Sequence, residues 1–94
     1  MNETVNRGDV VLSIAGHDKG KYFFVMDIID DEYYLLADGK FRKIEKPKKK
    51  KIKHCRHCSK MRSDLIKEKL INEQYIQDAD LRKEMNLLLS KEVI

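Results

Sequence analysis

Residues 10 to 21 read Val-Val-Leu-Ser-Ile-Ala-Gly-His-Asp-Lys-Gly-Lys, a β-branched and aliphatic run feeding a tight, charged turn with two glycines. The run predicts a strand and the turn a loop that leaves it. Gly16 and Gly20 bracket His17, Asp18 and Lys19. Glycine tolerates positive φ and lets a phosphate or another chain segment approach the backbone closely. The same spacing also suits an ordinary connection between two strands.

Around this stretch the apolar period is about two. Residues 9 to 15 form a first strand and residues 21 to 29 a second with apolar side chains on both faces. Tyr22, Phe24, Met26 and Ile28 fall on one face, and Phe23, Val25 and Ile29 share the other with Asp27, as in a central strand buried on both sides. Asp30-Asp31-Glu32 makes a polar turn and 33 to 37 a third strand. Asp38-Gly39 reads as a two-residue hairpin turn, because Asp-Gly suits the positive φ values of the primed types, and 41 to 45 as a fourth strand. Pro47 cannot donate a ladder hydrogen bond and is expected to end the sheet. Ile52-Lys53-His54 then forms a short extended segment that returns to it.

Beyond residue 62 the period lengthens to about 3.6. Ser59 or Ser63 caps a helix beginning near Asp64, with Leu65, Ile66, Lys69, Leu70 and Glu73 as a partly apolar stripe. Asp78 reads as the cap of another helix that carries Ala79, Leu81, Arg82, Met85, Leu88 and Leu89 on one side. Two such short helices serve to complete a core.

The 94 residues leave room for one domain, and 38% of them are charged. Net charge is only +4, but its distribution is uneven. Residues 1 to 39 hold 3 basic and 8 acidic side chains, residues 40 to 62 hold 12 and 1, and residues 63 to 94 hold 5 and 7. A block of +11 repels itself and favours an anionic partner, of which nucleic acid is the commonest; its bland counterpart is a solvated linker. Lys19 and Lys21 flank Gly20, Arg42 and Lys43 begin the fourth expected strand, and Lys46, Lys48, Lys49, Lys50, Lys51 and Lys53 continue the positive surface. Lysine offers phosphates a mobile point charge, whereas the arginine fork holds a phosphate bidentately or lies over a base. Backbone N–H groups at Gly16 and Gly20 add neutral donors. Tyr22, Tyr33, Tyr34 and Phe41 are the aromatic groups able to stack on bases, although each also suits a core.

Other classes find less support. No nucleophile–base pair and no Gly-Lys-Ser/Thr phosphate loop is present, and Asp27, Asp30, Asp31, Glu32 and Asp38 read as solvated turn carboxylates. The expectation is a non-enzyme without a small-molecule substrate. No apolar run approaches the ~18–20 residues that span a bilayer, and Lys48 to Lys53 lack an adjacent amphipathic or lipidated anchor. A cytoplasmic protein with no membrane partner, monomeric when free, is expected. His54-Cys55-Arg56-His57-Cys58 offers four potential zinc ligands, but so short a run does not wrap all four around one tetrahedral ion. A complete site would need His17 or a second copy of the chain. No cofactor is therefore expected; Cys55 and Cys58 are the candidate ligands if zinc is bound.

Residues 8 to 21 resemble the KOW motif, an apolar strand followed by Gly-x-x-Lys-Gly and a second apolar strand. Val25 to Ile29, the Leu-Ala-Asp-Gly turn at 36 to 39, Phe41-Arg42-Lys43 and the Glu45-Lys46-Pro47 exit are also similar to the small bacterial KOW-domain RNA-binding proteins. Those in turn resemble the fourteen-e type large-subunit ribosomal protein. The likeness covers roughly residues 8 to 54. It implies a small SH3-like antiparallel β-barrel at 8–47; with the charge and period above, the expected α+β chain adds a tail at 1–7, a basic arm at 48–62 and a helical extension at 63–94 packed on the barrel. It also implies a ribosome-associated role in translation, with structured RNA, ribosomal RNA foremost, as the partner. Gly16, Lys19, Gly20, Lys21, Arg42, Lys43 and the lysines from Lys46 to Lys53 would be the contact residues. The competing expectation is an interaction module in which Cys55 and Cys58 join two chains through zinc.

Overall fold

β-Branched and aromatic residues concentrate between positions 10 and 37, and three antiparallel strands form there: β1 (Val10–Ser13), β2 (Tyr22–Ile29) and β3 (Tyr33–Ala37). The computed structural model describes residues 4–92. The first three residues of the expected tail and the last two of the expected helical extension lie outside them. After β3 come β4 (Lys48–Lys51), a 3-10 turn (Ile52–His54), β5 (Cys55–His57), α1 (Asp64–Ile71) and α2 (Asp78–Glu92). The chain is a small α+β unit with one five-stranded antiparallel sheet in the order β4-β3-β2-β1-β5. The 3-10 turn joins the two edge strands, but no ladder pairs them, so the expected barrel closure is not seen.

β2 is buried on both faces, as its composition requires. On one side Val11, Phe23, Val25, Tyr34 and Leu36 cluster, with Val5, Ile28, Ile52 and Cys55 packed against them. On the other, Val10, Phe24 and Ala37 meet Met61, Ile66, Leu70, Ile76, Leu81, Met85 and Leu88 beneath the helices. Full burial of Phe23, Phe24, Leu36, Ile66 and Leu81 stabilises the fold by about 2–3 kcal/mol each. Strict alternation places Ile28 with Phe24. Instead, the register against β3 shifts between Val25 and Asp27, and this bulge turns Ile28 to the Phe23 and Val25 side.

The largest departure from expectation lies between residues 38 and 51. Asp38-Gly39 does not make the hairpin, and 41–45 is not a strand. The Asp38 carboxylate instead accepts the N–H groups of Lys40, Phe41 and Arg42 through Oδ1 at 3.0, 2.9 and 2.9 Å, which satisfies locally the donors that a ladder would use. The turn with two consecutive positive φ values is Asp30-Asp31 between β2 and β3, at 52° and 57°. The fourth strand is the tetralysine segment, which begins directly after Pro47 and pairs with β3 from Leu36↔Lys48 to Tyr33↔Lys51. Proline thus precedes an edge strand rather than ending the sheet. The stretch expected as a basic arm supplies both edges: β5 pairs with β1 from Val11↔His57 to Ser13↔Cys55.

The helices follow their stripes more closely. Ser63 caps α1 by accepting the Ile66 N–H at 3.3 Å, and its hydroxyl donates to Glu84 Oε1 of α2 at 2.7 Å. Ile66 and Leu70 face inward while Leu65 stays exposed; on α2, Leu81, Met85 and Leu88 are buried. Asp9 anchors α1 to the sheet: its carboxylate takes Lys67 Nζ on one oxygen, and on the other the Asn6 N–H at 2.8 Å, with His57 Nε2 at 3.4 Å. Asp78 does more than begin α2, because its Oδ1 accepts the Ile44 N–H at 2.8 Å, and Arg82 Nη1 donates to the Gly39 carbonyl at 2.7 Å. The loop at 38–44 is therefore clamped to the first turn of α2.

Gly39 and Gly20 provide a matched test of that clamp. Both have positive φ, 79° and 89°. A Cβ at Gly39 would overlap the Asp78 carbonyl, whereas one at Gly20 would meet nothing within 4 Å. We expect Gly20→Ala to cost about 1–2 kcal/mol, the left-handed strain alone, and Gly39→Ala at least about 3 kcal/mol because the loop must leave α2. Urea denaturation of both variants measures the difference; equal losses would show that the loop is not clamped.

Candidate nucleic-acid interface

The turn after β1 is closed by its own backbone. Gly20 N–H donates to the Ser13 carbonyl at 2.8 Å, Ser13 N–H to Lys21 at 2.9 Å, and Lys19 N–H to Gly16 at 3.1 Å. Gly16 and Gly20 adopt φ of 78° and 89°, a conformation that L side chains rarely take. The Gly20 N–H is thus engaged within the turn and is not the free phosphate donor expected from sequence. His17, Lys19 and the two glycines are exposed, while Asp18 points inward and is buried.

Asp18 joins the turn to the loop at 38–42. Its Oδ2 accepts Arg42 Nη2 at 2.8 Å, and Lys21 Nζ lies 3.8 Å from Oδ1. Burial pushes the Asp18 carboxyl up. The Arg42 hydrogen bond and charge, helped by Lys21 and Lys50, outweigh that effect and hold its pKa below the ordinary 3.8. Arg42 Nε is buried and has no hydrogen-bond partner among the described residues. Two of the expected contact residues are therefore already occupied inside the protein: Arg42 by Asp18, and Lys21 by Asp18 and the Phe41 ring, whose centroid lies 4.1 Å from its ammonium.

The tetralysine strand divides by alternation. Lys50, 8% exposed, turns inward and donates to the Ala15 carbonyl at 2.6 Å, and a Cβ on Gly16 would sit 3.3 Å from its ammonium. Lys50 supports the turn from beneath. Lys49 and Lys51 face outward and are exposed, and Lys49 lies 4.5 Å above the Tyr33 ring. Lys48 is half-buried. Lys43, Lys46 and Lys53 are exposed and, like Lys49 and Lys51, form no ion pair among the described residues. Of the aromatic candidates, Tyr34 belongs to the core, Tyr22 packs against the helix-side cluster, Tyr33 is half-buried at the start of β3 and Phe41 is 52% exposed. Sequence reasoning did not identify Asp18 as an organising residue. The only signal is an acidic residue inside an otherwise basic turn.

The cysteines do not converge. Cys55 packs against the Phe23 cluster and Cys58 against the Phe24 cluster, on opposite sides of the sheet. Cys55 Sγ donates to the Lys51 carbonyl at 3.5 Å, and burial, opposed by Lys50, pushes its thiol up to about 11. A metal-binding pair needs two thiolates directed at one point. Among the described residues no three His, Cys, Asp or Glu side chains group as a metal site, and no helix is long and apolar enough to cross a membrane.

Two outcomes check these assignments. The folded pKa of Asp18 lies below its unfolded value, so its ionised form stabilises the protein at neutral pH, and that contribution fades as pH falls below 3.8 through the lowered value. Asp18→Asn is expected to cost about 1–2 kcal/mol at pH 7, discounted because Arg42 is a third exposed, with the difference shrinking in acid denaturation series towards pH 3. A pH-independent difference would refute the ionic role. Iodoacetamide at pH 7.5 should modify Cys55 at least ~100-fold more slowly in folded protein than in 8 M urea, as followed by peptide mass spectrometry. Comparable rates would place the thiol in solvent.

No protein-family model and no curated protein matches this chain.

Proposed function

We propose that the chain is a KOW-type module with an SH3-like core that binds structured RNA, ribosomal RNA foremost, and catalyses no reaction. The carrying observation is the edge strand of four lysines set against the glycine turn. Lys50 ties β4 to the Ala15 carbonyl at the start of the turn, which fixes the strand from which Lys49 and Lys51 project to solvent; Lys51 lies at the end that borders Asp31 and Glu32. Cations fixed on strands and turns rather than on a flexible arm form a preorganised phosphate-binding surface, and less side-chain and backbone ordering opposes binding. A core of Phe23, Val25, Tyr34 and Leu36 on one side of the sheet, with successive antiparallel strands and no α-helix between β1 and β5, supports the SH3-like assignment.

Such a surface meets RNA through backbone and shape. An A-form helix hides its major-groove edges from side chains, so phosphates, 2′-hydroxyls and unpaired bases are what a rigid basic face engages. Arginine contributes less than its position in the sequence suggests, because Arg42 holds the fold together.

A salt titration tests the assignment. Five or six phosphate contacts would give a slope of log affinity against log salt of about −4 to −5. Lys49→Glu/Lys51→Glu is expected to weaken binding of a ribosomal RNA fragment and of an unrelated hairpin alike, and to flatten the slope by about 2. Lys50 is left intact in this variant because its ammonium supports the turn. Salt-independent affinity, or wild-type binding by the double reversal, would overturn the basic-face mechanism; equal affinity for duplex DNA would remove the RNA preference.

A further inference from the structure

A groove of about 540 Å³ opens between the loop at 38–42 and α2, beside the end of the glycine turn. Its size falls within the roughly 300–1,000 Å³ of pockets that hold small ligands. Phe41, Lys21 and Lys40 form one wall, Arg82 and Asn86 of α2 the other, and Met85 contributes to an apolar floor. Phe41 is exposed although its loop is fixed: the Phe41 N–H is held by Asp38 at 2.9 Å, Arg42 is held by Asp18, and Gly39 is packed against Asp78 and bonded to Arg82. A phenyl ring maintained in solvent by so constrained a loop contributes little to the core.

We propose that this groove takes a single unpaired nucleotide, its base on the Phe41 ring and its phosphate between Lys21 and Lys40. The inference rests on the RNA-binding reading and deepens it. The ammonium groups of Lys21 and Lys40 lie 4.1 and 5.0 Å from the Phe41 centroid, so an aromatic face and two positive charges already occupy one small volume. A base is a π surface attached to an anion and complements both. Lys40 is held over the ring by a cation–π contact, and Lys21 by that contact together with Asp18 Oδ1 at 3.8 Å; a stacking base replaces the ring contacts with a larger one, Lys40 moves onto phosphate, and Lys21 shares its ammonium between phosphate and Asp18. Asn86 supplies an amide donor and acceptor for a base edge. Arg82 gives one N–H to Gly39 and retains others for the ribose or phosphate. A paired base does not enter, because its face is covered by its neighbours in the stack. The ligand is therefore an extruded nucleotide of an RNA, or a free nucleoside monophosphate of the same chemistry.

The chain contains no tryptophan, so Phe41→Trp places a unique fluorophore in the groove. The probes are a hairpin with one bulged adenine, the same hairpin fully paired, AMP, and ribose 5-phosphate, which lacks the base. We expect indole quenching by the bulged hairpin and by AMP at higher concentration, and none by ribose 5-phosphate. Phe41→Ala should weaken the bulged hairpin about tenfold and change the paired hairpin less than about twofold, with thermal stability close to wild type. RNA binding without quenching, together with unchanged affinity in Phe41→Ala, would overturn the groove and leave the basic face standing. Quenching by AMP without binding of either hairpin would overturn the RNA reading and leave a free-nucleotide site. Absence of both would overturn the two together.

Discussion

The ion pair between Asp18 and Arg42 connects the two segments on which the rest of the basic surface depends. Asp18 sits within the turn that follows β1, Arg42 within the loop that follows β3, and the buried carboxylate draws Lys21 as well. Because burial disfavours a lone carboxylate, the charge persists there only with its partners in place, and so it enforces their arrangement. That arrangement sets Lys21 against Phe41 and brings the loop to the first turn of α2. The position of this carboxylate inside the protein makes it an anchor for the basic surface rather than a neutralising charge upon it.

The lysines illustrate how one residue type serves opposed purposes. Lys50 and Lys67 lie with their ammonium groups against Ala15 and Asp9 and act as structural donors. Their aliphatic stems cover apolar surface while the charge finds a polar partner. Lys49 and Lys51, one residue away on the same strand, face solvent. Lysines on an edge strand also discourage pairing with another sheet, so the same outward side chains that offer charge to a polyanion protect the exposed edge.

The sheet has no free face over its central strand. One side of β2 is covered by Val5, by Ile52 of the 3-10 turn and by Cys55 of β5, and the other by the two helices. The helical extension therefore completes the domain and also supplies, through Asp78, Arg82 and Asn86, one wall of the groove at Phe41. Fold completion and the proposed ligand site share the first three turns of α2.

Composition and period alone determine much of this molecule. Strands at 10–13, 22–29 and 33–37 follow from β-branched and aromatic density, a helix starting near Asp64 and the inward Ile66, Leu70, Leu81, Met85 and Leu88 from helical spacing, and the concentration of positive charge from simple counting; the choice of Ser63 over Ser59 as cap and the exposure of Leu65 do not. Other features are decided only by tertiary contacts. Four identical lysines carry no alternation to read, so the strand at 48–51 and the opposite directions of Lys49 and Lys50 emerge only when β3 offers a ladder. Asp38 could form a hairpin or an internal cap; the packing of Gly39 on Asp78 selects the cap. The cysteines, three residues apart, look like a ligand pair until the strand sends them to separate clusters. In each case the local sequence permits two conformations of similar energy, and a partner distant along the chain selects between them.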